Sequence, residues 1–186
     1  MEADWEFEVG GDAPVIEACW EGFIDLRCTP DRARELPEAA QLSGLSEVLE
    51  RLNSGSSPVW TSKCDVFPAL APEDFDADEL DAPPGCCAHA MAFYIDLLPN
   101  ADRQWSGPSL AEAECKHLCA ILGAVPLRCC RVDFIVRSAV IAPGVMDLGV
   151  TTYITACGPN AKEAKDVLET ALSAFANALC PLSTVQ

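Results

Sequence analysis

Positive charge is what this sequence has least of. Its 186 residues hold 12 Lys and Arg against 29 Asp and Glu, a formal net charge of −17. Nucleic acids and anionic membrane surfaces are gripped by concentrated positive patches, and scattered cations do not supply one. Both partner classes are therefore set aside. The acidity serves solubility first; a basic or metal partner is the sharper alternative.

Long apolar runs are missing too, and none approaches the roughly 20 residues that span a bilayer. The start, Met1-Glu2-Ala3-Asp4-Trp5-Glu6, is acidic and lacks the basic residues and apolar stretch of a secretory signal. A cytoplasmic protein is expected. Histidine is down to two residues, His89 and His117. Cys86 or Cys87 with His89 is the one local nucleophile pairing, and it has no evident orienting group. No CxxC, Walker loop, GxGxxG, GxSxG or HExxH is present. The run from Asp74 starts like a calcium loop, but Glu79 stands where the sixth-position glycine belongs and Gly85 where the twelfth-position glutamate does. No pattern names a cofactor, and no metal site is assigned.

Cysteine, by contrast, is abundant, at eleven. An odd count suits a closed disulfide framework poorly, and a reducing compartment implies free thiols. Most sit where a small apolar residue would serve, such as Cys115 and Cys119 beside Leu118 and Leu122 on a helical stripe. Thiol or metal handling by Cys86, Cys87, His89, Cys129 and Cys130 stands as a third functional reading.

Half the residues are hydrophobic and 22% are charged, as in a globular chain. The length suffices for one sizeable core. Phe23-Ile24-Asp25-Leu26 returns as Tyr94-Ile95-Asp96-Leu97, and Lys63-Cys64-Asp65-Val66 as Arg131-Val132-Asp133-Phe134. Each copy reads as strand, helix, then a strand carrying basic-x-Asp, so a duplicated unit is expected. Tyr153-Ile154 before Pro159-Asn160-Ala161 echoes Tyr94-Ile95 before Pro99-Asn100-Ala101.

Periodicity predicts an edge strand over 4–9 and a long strand over 15–28. Helical pieces follow from Thr29 and over 43–52, then a strand over 59–67. An acidic, proline-rich connection covers 68–86. Beyond it come a strand over 88–98, a loop over 100–108 with Trp105, and a helix from Ser109 to about Leu122. Strands over 129–141 and 147–157 and a helix over 160–179 complete the pattern. The expected fold is α+β and ferredoxin-like: a single domain, 1–186, of two tandem βαβ repeats (about 15–67 and 88–141). A C-terminal strand–helix unit, 147–180, follows, and the sheet is antiparallel with its helices on one face.

Alternation along those strands sends Ile24, Leu26, Val66, Phe93, Ile95, Val132, Phe134 and Val136 toward the helices. The opposite face then carries Phe23, Asp25, Lys63, Asp65, Tyr94, Asp96, Arg131, Asp133, Arg137 and Tyr153, with Glu21, Arg27 and Thr61. Aspartate is disfavoured in strands, yet four stand here, interleaved with aromatics as recognition surfaces are. The expected function is binding: this open face either holds a small molecule or forms a homodimer. The alternative is an enzyme using Asp25, Asp96 or Asp133 for acid–base work beside Arg131 or Arg137.

Overall fold

The computed structural model describes residues 1–100 and 107–181; Trp105 lies outside them. The fold is α+β, built on one open, mixed sheet of six strands. These are β1 (Glu2–Glu8), β2 (Ile16–Glu17), β3 (Val59–Phe67), β4 (His89–Pro99), β5 (Cys130–Ala142) and β6 (Val145–Gly158). The helices are α1 (Leu45–Leu52), α2 (Pro108–Gly123) and α3 (Ala161–Leu179), with 3-10 turns at Pro30–Glu35, Pro37–Ala40 and Pro72–Asp74.

The strand order is β1-β5-β6-β4-β3, and β2 continues along β5 beyond β1. The three pairs β5–β6, β6–β4 and β4–β3 are antiparallel, whereas β1 and β2 run parallel to β5. The sheet is thus mixed and not antiparallel as expected, because the acidic N-terminal strand docks beside β5, about 130 positions on, where no local pattern reaches.

The long strand over 15–28 is not formed. Only Ile16 and Glu17 pair, and the chain then turns repeatedly, with Gly22 at φ +90°. The alternation there has another cause. Ala18 and Phe23 pack with Ile16, Trp60, Leu98 and Ala139 on the open face, while Leu26 joins the main core. A strap that crosses one sheet face and rounds the β3 edge serves two apolar surfaces in turn, so it reads as a strand. Phe23-Ile24-Asp25-Leu26 consequently has no structural likeness to Tyr94-Ile95-Asp96-Leu97, which lies inside β4.

Elsewhere periodicity and structure agree. On β5 the even positions Val132, Phe134 and Val136 are wholly buried under the helices, and on β4 Phe93 and Ile95 match them. The α3 stripe Ala164, Leu168, Ala171, Leu172, Phe175 and Leu179 closes over this core, with Phe175 and Phe134 centroids 6.2 Å apart. Full burial of a side chain of this size contributes about 1.5–3 kcal/mol. Asn160 caps α3 by accepting from the Glu163 N–H at 3.0 Å. Gly107, and not Ser109, is the residue before α2. Asn53 ties α1 to β3: its amide donates to Leu49 O and Thr61 Oγ1, both at 2.8 Å, and its Oδ1 accepts from Thr61 N at 3.0 Å. Among the described residues no helix is long and apolar enough to cross a membrane.

Candidate functional site

The sheet face away from the helices is raised at both ends. At one end lies the strap, whose Ser62-bonded carbonyls Glu17 and Ala18 sit over β3. Ile16 Cδ1 comes so close to β6 that a Cβ on Gly149 would meet it at 2.7 Å. At the other end, the acidic segment 70–88 folds back. Leu80 is buried there with Ala90, Cys157, Leu70 and Phe75. The acidic, proline-rich connection therefore forms a wall packed against the sheet.

Between these ends the open face is organised in register rows. Asp65, Tyr94, Tyr153, Asp133 and Asp4 lie side by side across β3, β4, β6, β5 and β1. The next row toward the acidic wall is Phe67, Ala92, Thr155, Arg131 and Glu2. The next row toward the strap contains Asp96, Thr151, Ile135 and Glu6. Phe67, Tyr94 and Tyr153 form an aromatic ladder with centroid separations of 6.4 and 5.8 Å.

A basin of about 610 Å³ opens over this floor, within the usual range of ligand pockets. Phe67, Ala92, Ile135, Tyr153 and Thr155 floor it. Five carboxylates line it, Asp4, Glu6, Asp74, Glu79 and Asp133, against one lining cation, Arg131. Arg131 is already engaged: its guanidinium meets Asp133 at 2.6 Å, Asp4 at 3.5 Å and Glu79 at 3.6 Å. Burial pushes the Asp133 carboxyl above its ordinary value, and the Arg131 hydrogen bond opposes this without cancelling it.

Of the residues expected at a site, Arg131, Asp133 and Tyr153 line the basin, and Tyr94 and Asp65 complete its central row. The others lie elsewhere. Phe23 packs in the strap cluster. Asp25 belongs to no strand; it holds Arg27 at 2.8 Å, and that hydrogen bond lowers its pKa. Arg27 in turn lies 3.8 Å from the Trp60 ring centroid. Lys63 extends over Trp20. Arg137 pairs with Glu8 at 2.6 Å and donates to Thr151 Oγ1 at 3.2 Å. Thr151 donates to Asp96 at 2.6 Å. Asp96 is 7% exposed, and burial raises its pKa. This chain of contacts is built into the sheet beside the basin and not in it.

The charged basin residues that sequence reasoning missed come from β1 and from the acidic segment, Asp4, Glu6, Asp74 and Glu79, and it also missed Phe67, Ala92, Ile135 and Thr155 of the floor. The alternation of β1 carried the signal for Asp4 and Glu6, but their neighbour β5 was not legible. Thiol expectations need correcting too. Cys87 and Cys157 form a disulfide, with Cα atoms 5.2 Å apart and 70 residues between them. Cys87 is therefore not a thiolate nucleophile for His89 in this state. The remaining nine cysteines are free, and burial pushes Cys64 and Cys115 up to about 12, as befits inert core thiols. Among the described residues no three His, Cys, Asp or Glu side chains are grouped to hold a metal ion. In comparisons with known proteins, no family model, curated protein or solved structure matches this chain.

Proposed function

We propose that the protein is a binding module whose open-face basin takes a small organic cation, an ammonium or a guanidinium with an apolar body. The observation that carries this reading is the imbalance of the lining, five carboxylates to one guanidinium, above a floor containing Tyr153 and Phe67. A cation over an aromatic face gains about 0.5–2 kcal/mol. A carboxylate roughly 4 Å from it adds an attraction of about 4 kcal/mol at an effective dielectric near 20, before desolvation. An anion would face repulsion from the same groups, and Arg131 is held by three of them.

The raised ends favour a ligand over self-association. A second copy laid face to face would have to fit between the strap and the acidic wall. The architecture is compatible with a ferredoxin-like core in a rearranged chain order. In that reading β5-β6-β4-β3, with α2 and α3 on one face, is the core, β3 stands where the last strand would come, and β1 is an addition.

Acid–base catalysis is a second reading, favoured by Asp133 alone. It lines the basin and has a raised pKa, whereas Asp96 is enclosed and Asp25 is paired at the strap. Native mass spectrometry of the protein purified from its own cells tests the binding reading. A monomer carrying an organic cation is expected. A bare dimer would replace the reading with an assembly face, and a bound anion would sink it.

A further inference from the structure

We infer that the Cys87–Cys157 disulfide is a thiol-reducible latch that holds the acidic wall of the basin in place. The segment is anchored to the sheet backbone at its two ends, where Leu70 N donates to Ala90 O at 2.9 Å and Ala88 N to Gly158 O at 3.0 Å. The backbone hydrogen bonds recorded between those anchors are internal to the segment: Asp74 to Ala71, Asp81 to Asp78, Ala82 to Ala77 and Cys86 to Pro83. Its grip on the sheet therefore rests on side chains. Leu80 is its one fully buried apolar residue. Arg128–Asp81 at 2.7 Å and Arg131–Glu79 at 3.6 Å are surface ion pairs, each worth little in water. The disulfide is the one covalent tie, and it joins the wall to β6 on the open face, in the register row beyond Thr155.

The bond is placed to be cut. Cys157 is wholly buried, but Cys87 is partly exposed and lines a shallow surface hollow beside Asp74 and Asp76. A thiolate of an external dithiol attacks Cys87 Sγ. The Cys87–Cys157 bond breaks, Cys157 leaves as a thiolate and takes a proton, and Cys87 is held as a mixed disulfide. The second thiolate of the dithiol then attacks its own bound sulfur. Cys87 is released and protonated, and the dithiol is oxidised to its cyclic disulfide by two electrons. Two of the five basin carboxylates, Asp74 and Glu79, ride on the freed segment. The latch itself stands without the cation-binding reading; its consequence for a ligand rests on that reading.

Hydrogen exchange read by mass spectrometry, with and without dithiothreitol, tests the latch directly. Alkylation without reductant, under denaturing conditions, should mark nine of the eleven cysteines. On reduction, peptides covering 72–87 should lose protection tenfold or more while those of β4 and β6 keep theirs. Cys87→Ser should behave like the reduced protein in both conditions. Cys129→Ser, at the neighbouring thiol, should behave like the wild type. Eleven alkylated cysteines, equal exchange in both states, or protection lost across the whole sheet would each overturn the latch. Binding is read separately, by titrating both states with ethylguanidinium. Should neither state bind while exchange still responds to reduction, the cation reading fails and the latch stands. Should both bind alike, the wall plays no part in affinity and its ligand-gating consequence is overturned.

Discussion

Tyr94 and Tyr153 face one another across β4 and β6, their ring centroids 5.8 Å apart and their planes inclined by 31°. Each has an aspartate on its outer side in the same row, Asp65 beside Tyr94 and Asp133 beside Tyr153. An aromatic pair between carboxylates is costly to place on a sheet for stability alone, since aspartate is a poor strand former. Beside a cation it has a physical use: Tyr153 and Asp133 line the basin and would supply quadrupole and charge, while Tyr94 backs the Tyr153 ring.

Tyr153→Ala should weaken ethylguanidinium binding about tenfold, the loss expected of one cation–aromatic contact, and should lower the melting temperature by a few degrees, since the Tyr94 ring contact goes with it. Isothermal titration calorimetry measures it. Raising the salt from 20 to 300 mM should weaken binding by the wild type further, because exposed carboxylates are screened. Unchanged affinity in the variant would remove Tyr153 from the site.

Asp133 sets an expected pH profile. Its folded pKa lies above the ordinary 3.8, so its charge fades at a higher pH than a solvated carboxylate's would. The groups around it are Arg131, Asp4 and Glu79. Cation affinity should therefore begin to fall at a higher pH than a solvated carboxylate in that position would give. Asp133→Asn should bind about five- to tenfold more weakly at pH 7 and lose this early fall; an identical profile would contradict the assignment.

Asp96 makes the corresponding stability prediction. Its pKa is raised in the fold, chiefly by burial, with the Thr151 hydrogen bond and Arg137 opposing. The folded state therefore binds its proton more tightly than the unfolded chain does. That contribution is fully present below about 3.8 and is lost as pH rises through the higher folded value. Asp96→Asn retains an oxygen for the Thr151 hydroxyl and escapes the ionisation penalty. In urea denaturation it should be more stable than the wild type at pH 7, with the advantage vanishing as pH approaches 3.8.

Asn53→Ala should cost about 1–3 kcal/mol, because it takes the side-chain partner from the buried Thr61 N–H and the donor from Thr61 Oγ1, while the Leu49 carbonyl keeps the backbone N–H of residue 53. The midpoint of a denaturant titration reads this. A cost below about 0.5 kcal/mol would show that water replaces the side chain.

Much of the sheet was legible because its strands have one covered and one open face. The alternation of Val132, Phe134 and Val136 with Arg131, Asp133 and Arg137 located both faces of β5, and the 3.6-residue stripe located α3. The strap was misread because residues serving two cores in succession mimic a strand's alternation. The Cys87–Cys157 bond and the pairing of β1 with β5 were out of reach because each joins segments 70 or more residues apart. Half of the site follows from those two contacts, which is why Tyr153, Arg131 and Asp133 were found and Asp4, Glu6, Asp74 and Glu79 were not.

The most direct test is a nitrogen-15 correlation spectrum of the oxidised protein titrated with ethylguanidinium, with acetate as the control. Saturable shifts are expected at Ala92, Arg131, Asp133, Tyr153 and Thr155, the floor and rim of the basin, with none from acetate. Shifts confined to the helix face, or a response to acetate and not to the cation, would contradict a cation-binding basin on the open sheet face.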